Sequence, residues 1–260
     1  MHLDERDRVM SGGWFRRSFG LPARLTNEEE RAEVERIRRD SLRLKELRNR
    51  LGDLLAGQRC LVLGSAPGAT RPDMSRMNAT ICINGSGWTA REMGVDKPSL
   101  TVFSSRNTRP DKLVREATMS VLNGLKTDHL LLIDVADEME VARAAIDAAG
   151  LQYDQFSCVT PLERAAIVGE VCGIELGLGI ARDRISNGVF AITLPIWAGA
   201  FEVVLAGFST GGGHAYLDTA TGRGHLTADT EFFKLAPRLK CRITTTSQEL
   251  QNRFGLKLSP

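Results

Sequence analysis

The apolar residues of this chain change period near residue 58. Before that point Leu44, Leu47, Leu51, Leu54 and Leu55 recur at three- and four-residue steps, the spacing of one helix face. Asn27, followed by Glu28, Glu29 and Glu30, reads as an N-cap with an acidic first turn, and Gly57 is placed to stop the helix. The spacing predicts one long helix over residues 26–56. From residue 59 short apolar runs alternate with helical stretches. The runs at 60–63, 80–83, 100–103, 130–134, 202–206 and 242–245 read as strands, with 155–159 as a further short one. The stretch after 134 through 149, then 162–178, 189–198 and 227–235, read as helices. Strands separated by helices predict an α/β fold, a Rossmann-like and mainly parallel sheet flanked by helices, with ligands bound beyond the carboxyl ends of the strands. Residues 207–225, rich in Gly and Thr around Gly211, Gly212 and Gly213, read as a lid-like segment. The division that follows is a helical extension over residues 1–57 and a ligand-binding domain over 58–260.

Composition narrows the class. At 260 residues the chain suits one sizeable α/β domain with an appendage. A formal charge of +2 is too small to argue for a nucleic-acid partner. The arginines crowd into the first fifty residues, but Glu28, Glu29, Glu30, Glu33 and Glu35 balance many of them, which reads as a solvated helix face. Trp14, Phe15 and Phe19 stand among Arg16, Arg17 and Arg24, so residues 1–24 fit peripheral contact with an anionic inner-membrane surface, and equally packing on the domain or on a twin subunit in a homo-oligomer. Cys60, Cys82, Cys158, Cys172 and Cys241 lack CxxC spacing, which suggests reduced thiols in a cytoplasmic chain. No apolar stretch reaches membrane-spanning length, and no signal-peptide core opens the sequence.

Three stretches carry candidate chemistry. The first is Gly64-Ser65-Ala66-Pro67-Gly68, directly after the first strand, where N–H groups left free by a sharp turn attract phosphate. It is not a dinucleotide fingerprint: Ala66 replaces the second glycine, Pro67 lacks an N–H, and the expected ribose-binding acid is Asn84. Asn84 offers both a donor and an acceptor without charge, suited to a phosphate or a pyrimidine edge, although Asn84-Gly85 also reads as a simple turn. The second stretch runs from Ser186-Asn187-Gly188 through an apolar helix and a strand to Gly207-Phe208, with Ser186 or Asn187 capping the helix. The third holds His214-Ala215-Tyr216 and Gly224-His225, the latter opening a helix with Asp229 and Glu231 in its first turns.

Taken together these stretches resemble the sialyltransferase superfamily, in its bacterial CMP-sialic acid form with eukaryotic-type Ser-x-Gly and His-x-Tyr motifs. The resemblance spans roughly residues 59–250 and is carried by the three short motifs. It implies that Gly64, Ser65, Ala66, Pro67, Asn84, Ser186, Asn187, Gly188, Gly207, Phe208 and His214 surround the nucleotide and substrate. It also implies that His225 is the catalytic base and Tyr216 the donor to the departing phosphate. Gly68 stands where the family often has Ser, and the chain has only Tyr153 and Tyr216 where bacterial members use two tyrosines near the second of these.

The implied chemistry is coherent. A single inverting displacement needs a base for the acceptor hydroxyl, and a neutral imidazole suits that task. A helix N-terminus disfavours the imidazolium, which helps keep His225 a free base. No Asp-x-Asp follows a strand; Asp134 and Asp137 come nearest, with two residues between them, so a mechanism without metal or other cofactor fits better. The expectation is a metal-independent glycosyltransferase moving sialic acid or a Kdo-like acidic sugar from a CMP-sugar donor to a glycan or lipid-linked glycan acceptor, as in cell-surface polysaccharide biosynthesis. Arg106, Asn107, Arg182 and Arg184 are candidates for the donor carboxylate. The alternatives are a non-catalytic nucleotide-binding protein of the same fold and an NAD(P)-dependent oxidoreductase.

Overall fold

Ser41 divides the helical extension. The expected single helix over 26–56 is two: α1 (Asn27–Asp40) and α2 (Leu42–Leu55). Ser41 adopts extended dihedrals and its hydroxyl accepts the Leu44 N–H at 3.1 Å, so the second helix starts anew on a serine cap. Serine offers the backbone this alternative partner more readily than most residues do. The structure is a computed structural model that describes residues 27–109, 115–134, 139–173, 185–211 and 225–259. Tyr216, His214, Arg182, Arg184 and the segment 1–24, all singled out above, lie outside the described residues, as does nearly all of the lid-like stretch.

The remaining elements follow the expected alternation. The strands are β1 (Arg59–Leu63), β2 (Ala79–Ile83), β3 (Leu100–Ser104), β4 (Lys126–Ile133), β5 (Gln152–Val159), β6 (Glu202–Ala206), β7 (Arg242–Thr245) and a short β8 (Lys257–Leu258). The helices after α2 are α3 (Gly87–Glu92), α4 (Arg115–Ser120), α5 (Met139–Ala148), α6 (Pro161–Cys172), α7 (Asn187–Trp197), α8 (Leu226–Leu235) and α9 (Gln248–Phe254). The strands form one sheet in the order β5-β4-β3-β2-β1-β6-β7-β8, and every pairing is parallel. The α/β, Rossmann-like expectation therefore stands, with α3, α4, α9 and β8 added.

Parallel strands covered on both faces read as near-continuous apolar runs, and β1, β2, β3 and β6 are buried throughout. Alternate residues feed different layers. Cys60, Val62, Ile81, Leu100, Val102, Leu131 and Ile133 join the layer that holds α2, α6, α7 and α8. Phe103, Leu130 and Leu132 pack on the opposite face with Leu122, Ala142 and Ile146, while Leu61, Leu63 and Cys82 meet Ala90 and Met93 of the α3 segment. Leu44, Leu47, Leu51 and Leu55 of α2 belong to the first layer, where each fully buried leucine contributes about 2 kcal/mol relative to exposure.

The arginines of this region are only partly a solvated face. Arg36 and Arg38 pair within α1, with Glu33 and Glu35. Arg43 reaches Glu163 and Arg48 reaches Glu170, so α2 is stitched to α6. Four of the five cysteines are buried, Cys158 is half-buried, and all five are free thiols; burial pushes Cys60 and Cys82 up to about 12. Among the described residues no helix is long and apolar enough to cross a membrane.

Candidate functional site at the sheet's carboxyl edge

The chain builds outward from β1 through β5 on one side, then returns to place β6 on β1's other flank. Between β1 and β6 the direction of winding reverses, and the crevice beyond such a point is where open α/β sheets hold ligands. Here the two strand ends touch through backbone alone. A Cβ on Gly64 would lie 2.3 Å from the Gly207 carbonyl oxygen, and one on Gly207 would lie 2.7 Å from that of Gly64. Gly207 has φ of +69°, a conformation glycine adopts without cost. The Phe208 ring closes the corner, 3.2 Å from where a Cβ on Gly64 or on Gly188 would sit. Gly64, Gly188, Gly207 and Phe208 are thus brought together; Gly64 and Gly207 are small because of each other, and Gly188 because of the Phe208 ring.

The loop after β1 differs from its sequence reading in one respect. The N–H groups expected to be free for phosphate are partly committed. That of Gly64 donates to the Ala206 carbonyl at 2.8 Å and that of Ala66 to the Gly207 carbonyl at 2.9 Å. These two bonds extend the β1–β6 ladder into the loop and hold it against the β6 end.

Asn84 leaves β2 with a left-handed φ of 51°, which asparagine tolerates better than most residues. Its side-chain oxygen accepts the Ser104 N–H at 3.0 Å, across the end of β3. The amide oxygen is therefore spent on the protein, and its NH2 is left to donate. Next to it Ser86 locks the β1 and β2 ends: its hydroxyl accepts the Ile83 N–H and donates to the Leu63 carbonyl, both at 2.7 Å. Ser104 is buried, and its hydroxyl oxygen has no hydrogen-bond partner. Ser105 donates to the Asp134 carbonyl at 3.0 Å, linking β3 to the end of β4. Arg106 is exposed and Asn107 half-buried in the turn that follows.

Asp134 is the other non-glycine residue with positive φ among those described, at 63°. Both its carboxylate oxygens accept from Nη1 of Arg164, at 3.0 and 3.1 Å. Arg164 sits in the first turn of α6. Thr160 caps that helix, Glu163 reaches back to the Thr160 N–H at 2.8 Å, and Pro161 opens it. The same Nη1 donates to the side-chain oxygen of Asn187 at 2.9 Å, and Nη2 donates to the Ile185 carbonyl at 2.6 Å. The guanidinium also lies over the Phe190 ring, 4.9 Å from its centroid.

Helix α7 starts at this crossing. Ser186 caps it, accepting the Val189 N–H at 3.2 Å, which leaves the other first-turn N–H groups without an intrahelical partner. Eleven residues of aligned dipole make that end attractive to an anion. The Ser186 N–H in turn donates to Asp229 of α8 at 2.7 Å, and the Asp229 N–H donates to the His225 carbonyl at 3.0 Å. His225 thus occupies the cap position of α8, half-buried, with α8 tied to the α7 start.

Asp229, Ser104 and Arg164 were missed as site residues. Asp229 was read only as an acid in a first turn. For Arg164 the local signal is only its place as the single arginine of a helix opened by a Thr-Pro-x-Glu capping box, which says nothing of its partners.

Comparison with solved structures finds this architecture in the monofunctional alpha-2,3-sialyltransferase Cst-I from Campylobacter jejuni, at a TM-score of 0.51 and 13% identity, covering 78% of this chain and 81% of that one. The sialyltransferase CstII of the same organism, in complex with the substrate analogue CMP-3FNeuAc, aligns at a TM-score of 0.48 and 12% identity over 78% of this chain and 86% of that one. CstII with a trisaccharide acceptor and CMP aligns at 0.48 and 13% identity, over the same 78% and 86%. No protein-family model and no curated protein sequence matches the chain. What is shared with Cst-I is the fold, and this protein has a sialyltransferase-like fold.

Proposed function

We propose that the protein is an inverting, metal-independent glycosyltransferase that moves sialic acid or a Kdo-like acidic sugar from its CMP ester to a glycan hydroxyl. The observation that carries this reading is the character of the carboxyl edge. Two asparagines, Asn84 and Asn187, have their amide oxygens held by protein donors, which leaves their NH2 groups for a ligand beside the α7 N-terminus. Two buried carboxylates of this region, Asp134 and Asp229, are engaged by Arg164 and by the Ser186 N–H. Such a rim suits an anion of the nucleotide-phosphate kind. The fold likeness to Cst-I, a sialyltransferase, points the same way.

In this reading the acceptor hydroxyl attacks the anomeric carbon as His225 takes its proton. The bond from that carbon to the phosphate oxygen breaks, and CMP leaves with the electron pair. Tyr216 donates to the departing phosphate, His214 assists nearby, and the Gly64–Gly68 loop with Asn84 and Ser186–Gly188 seats the nucleotide. Residues 58–260 form the transfer unit, and residues 1–57 are an extension whose described part, from residue 27, packs on α6 and α7. Binding energy at the phosphate serves the leaving group most where charge develops, in the transition state.

The test is CMP release from CMP-sialic acid and CMP-Kdo in the presence of a chelator, with His225→Ala alongside. The expected result is turnover that persists with chelator and is lost in His225→Ala, while CMP binding survives. Failure to bind CMP, or turnover untouched by the substitution, would sink the proposal.

A further inference from the structure

A guanidinium has only donors, so any amide that meets it must present oxygen. Arg164 meets Asn187 in this way, at 2.9 Å, and the Asn187 NH2 is thereby turned away from it. The same guanidinium holds the Ile185 carbonyl, one residue before the helix cap, so both the side chain and the backbone leading into α7 are set by one group. Arg164 is itself held from several sides. It is 1% exposed, both Asp134 oxygens take its Nη1, and Phe190 lies under its face. Its own helix is fixed by the Thr160–Glu163 capping box.

We infer that Arg164 is a positioning residue: it locks the Asn187 amide with NH2 toward the crevice, so that the α7 start presents donors only, and Asp134 is there to keep the buried guanidinium charged and oriented. An unpinned asparagine can present either end, and the oxygen end repels an anion. The arrangement also explains a costly feature, since a buried ion pair alone adds little net stability. The inference rests on the nucleotide reading for its ligand, but not for the orientation itself.

The experiment uses the full chain and two readouts. The first is the side-chain amide signal of Asn187 in a 15N–1H correlation spectrum without ligand, assigned by its disappearance in Asn187→Ser. The second is the CMP dissociation constant, with KM and kcat for the CMP-sugar donor. The variant is the double substitution Arg164→Met with Asp134→Asn, which leaves no orphan charge, checked for a cooperative melt. Should it fail to fold, Arg164→Lys, which keeps the charge but not the planar fork, is read in the same way. The expected result is that the Asn187 signal moves to the position of a freely rotating amide, and that CMP affinity falls by about tenfold or more, the size expected for a hydrogen bond to a charged group. KM should rise in step, and kcat should fall as well, because the phosphate gains charge as CMP leaves. An Asn187 signal that stays in place, or CMP affinity within about twofold of wild type in a folded variant, overturns the inference. If wild type binds no CMP, the nucleotide reading fails, and the amide signal still decides whether Arg164 sets the orientation.

Discussion

The Asp229 carboxylate accepts the Ser186 N–H at 2.7 Å, so the helix that opens on His225 is fastened to the helix that opens on Ser-Asn-Gly. Two segments far apart in sequence thereby share one end, and the fastening point is buried. Removing the acceptor leaves a partly buried N–H unsatisfied. Asp229→Ala is expected to lower stability by about 1–3 kcal/mol in urea unfolding and to reduce CMP release from a CMP-sugar by about tenfold or more. Asp229→Asn keeps an acceptor oxygen and should retain most of both. Wild-type turnover in Asp229→Ala would mean that this link does not position His225.

The two glycines of the β1 loop should behave oppositely to a naive ranking by flexibility. Gly68 has φ of +67° but open space around it, so Gly68→Ala meets only the left-handed conformational cost, about 1 kcal/mol. Gly64 has no such φ, yet its added methyl would collide with the Gly207 carbonyl at 2.3 Å. Backbone on both sides must move, at the switch point of the sheet. Gly64→Ala should therefore lose several times the stability that Gly68→Ala loses, measured as the shift in urea midpoint. Equal losses would show that the β1–β6 contact yields easily.

The fold was largely legible because its central strands are buried on both faces and so read as near-continuous apolar runs. The elements that went unseen are short, such as α3 and β8, or begin on a polar break such as Ser41. The site was legible only in part. Gly64, Gly207 and Gly188 announced themselves as small residues at element ends, but the sequence could not say that Gly64 and Gly207 were small for each other's sake and Gly188 for the Phe208 ring. Arg164 was hidden because its partners, Asp134 and Asn187, lie thirty and twenty-three residues away. Local spacing carries no information about a contact made across three elements.

His129 gives the molecule an acid-sensitive point away from the site. Burial within β4 pushes its ring down to about 4, and the Arg50 charge adds to the push. The folded value lies below the roughly 6.5 of an unfolded chain, so the unfolded state binds the proton more readily between those values. Stability from this group is complete above about pH 6.5 and is lost as pH falls toward 4, by about 3 kcal/mol at most. Urea midpoints taken from pH 7 to pH 4.5 should fall more steeply for wild type than for His129→Leu. Parallel curves would assign the acid sensitivity to other groups.

Asn84 offers the most direct reading of what the rim holds. Its oxygen accepts the Ser104 N–H, and its NH2 is the end left for a ligand. In Asn84→Asp one carboxylate oxygen keeps the Ser104 bond, and the other places negative charge where a donor stood. Aspartate also tolerates the left-handed φ of 51°, so the fold should survive with little change in its melt. CMP affinity is expected to fall by about tenfold or more at neutral pH, because a charge-assisted hydrogen bond becomes a repulsion. Cytidine, which lacks the phosphate, separates the two ways an amide can serve this ligand. If Asn84 faces the phosphate, cytidine binds both proteins alike; if it faces the pyrimidine edge, cytidine loses as much as CMP does. An unchanged CMP constant would place the nucleotide away from the β2 end altogether.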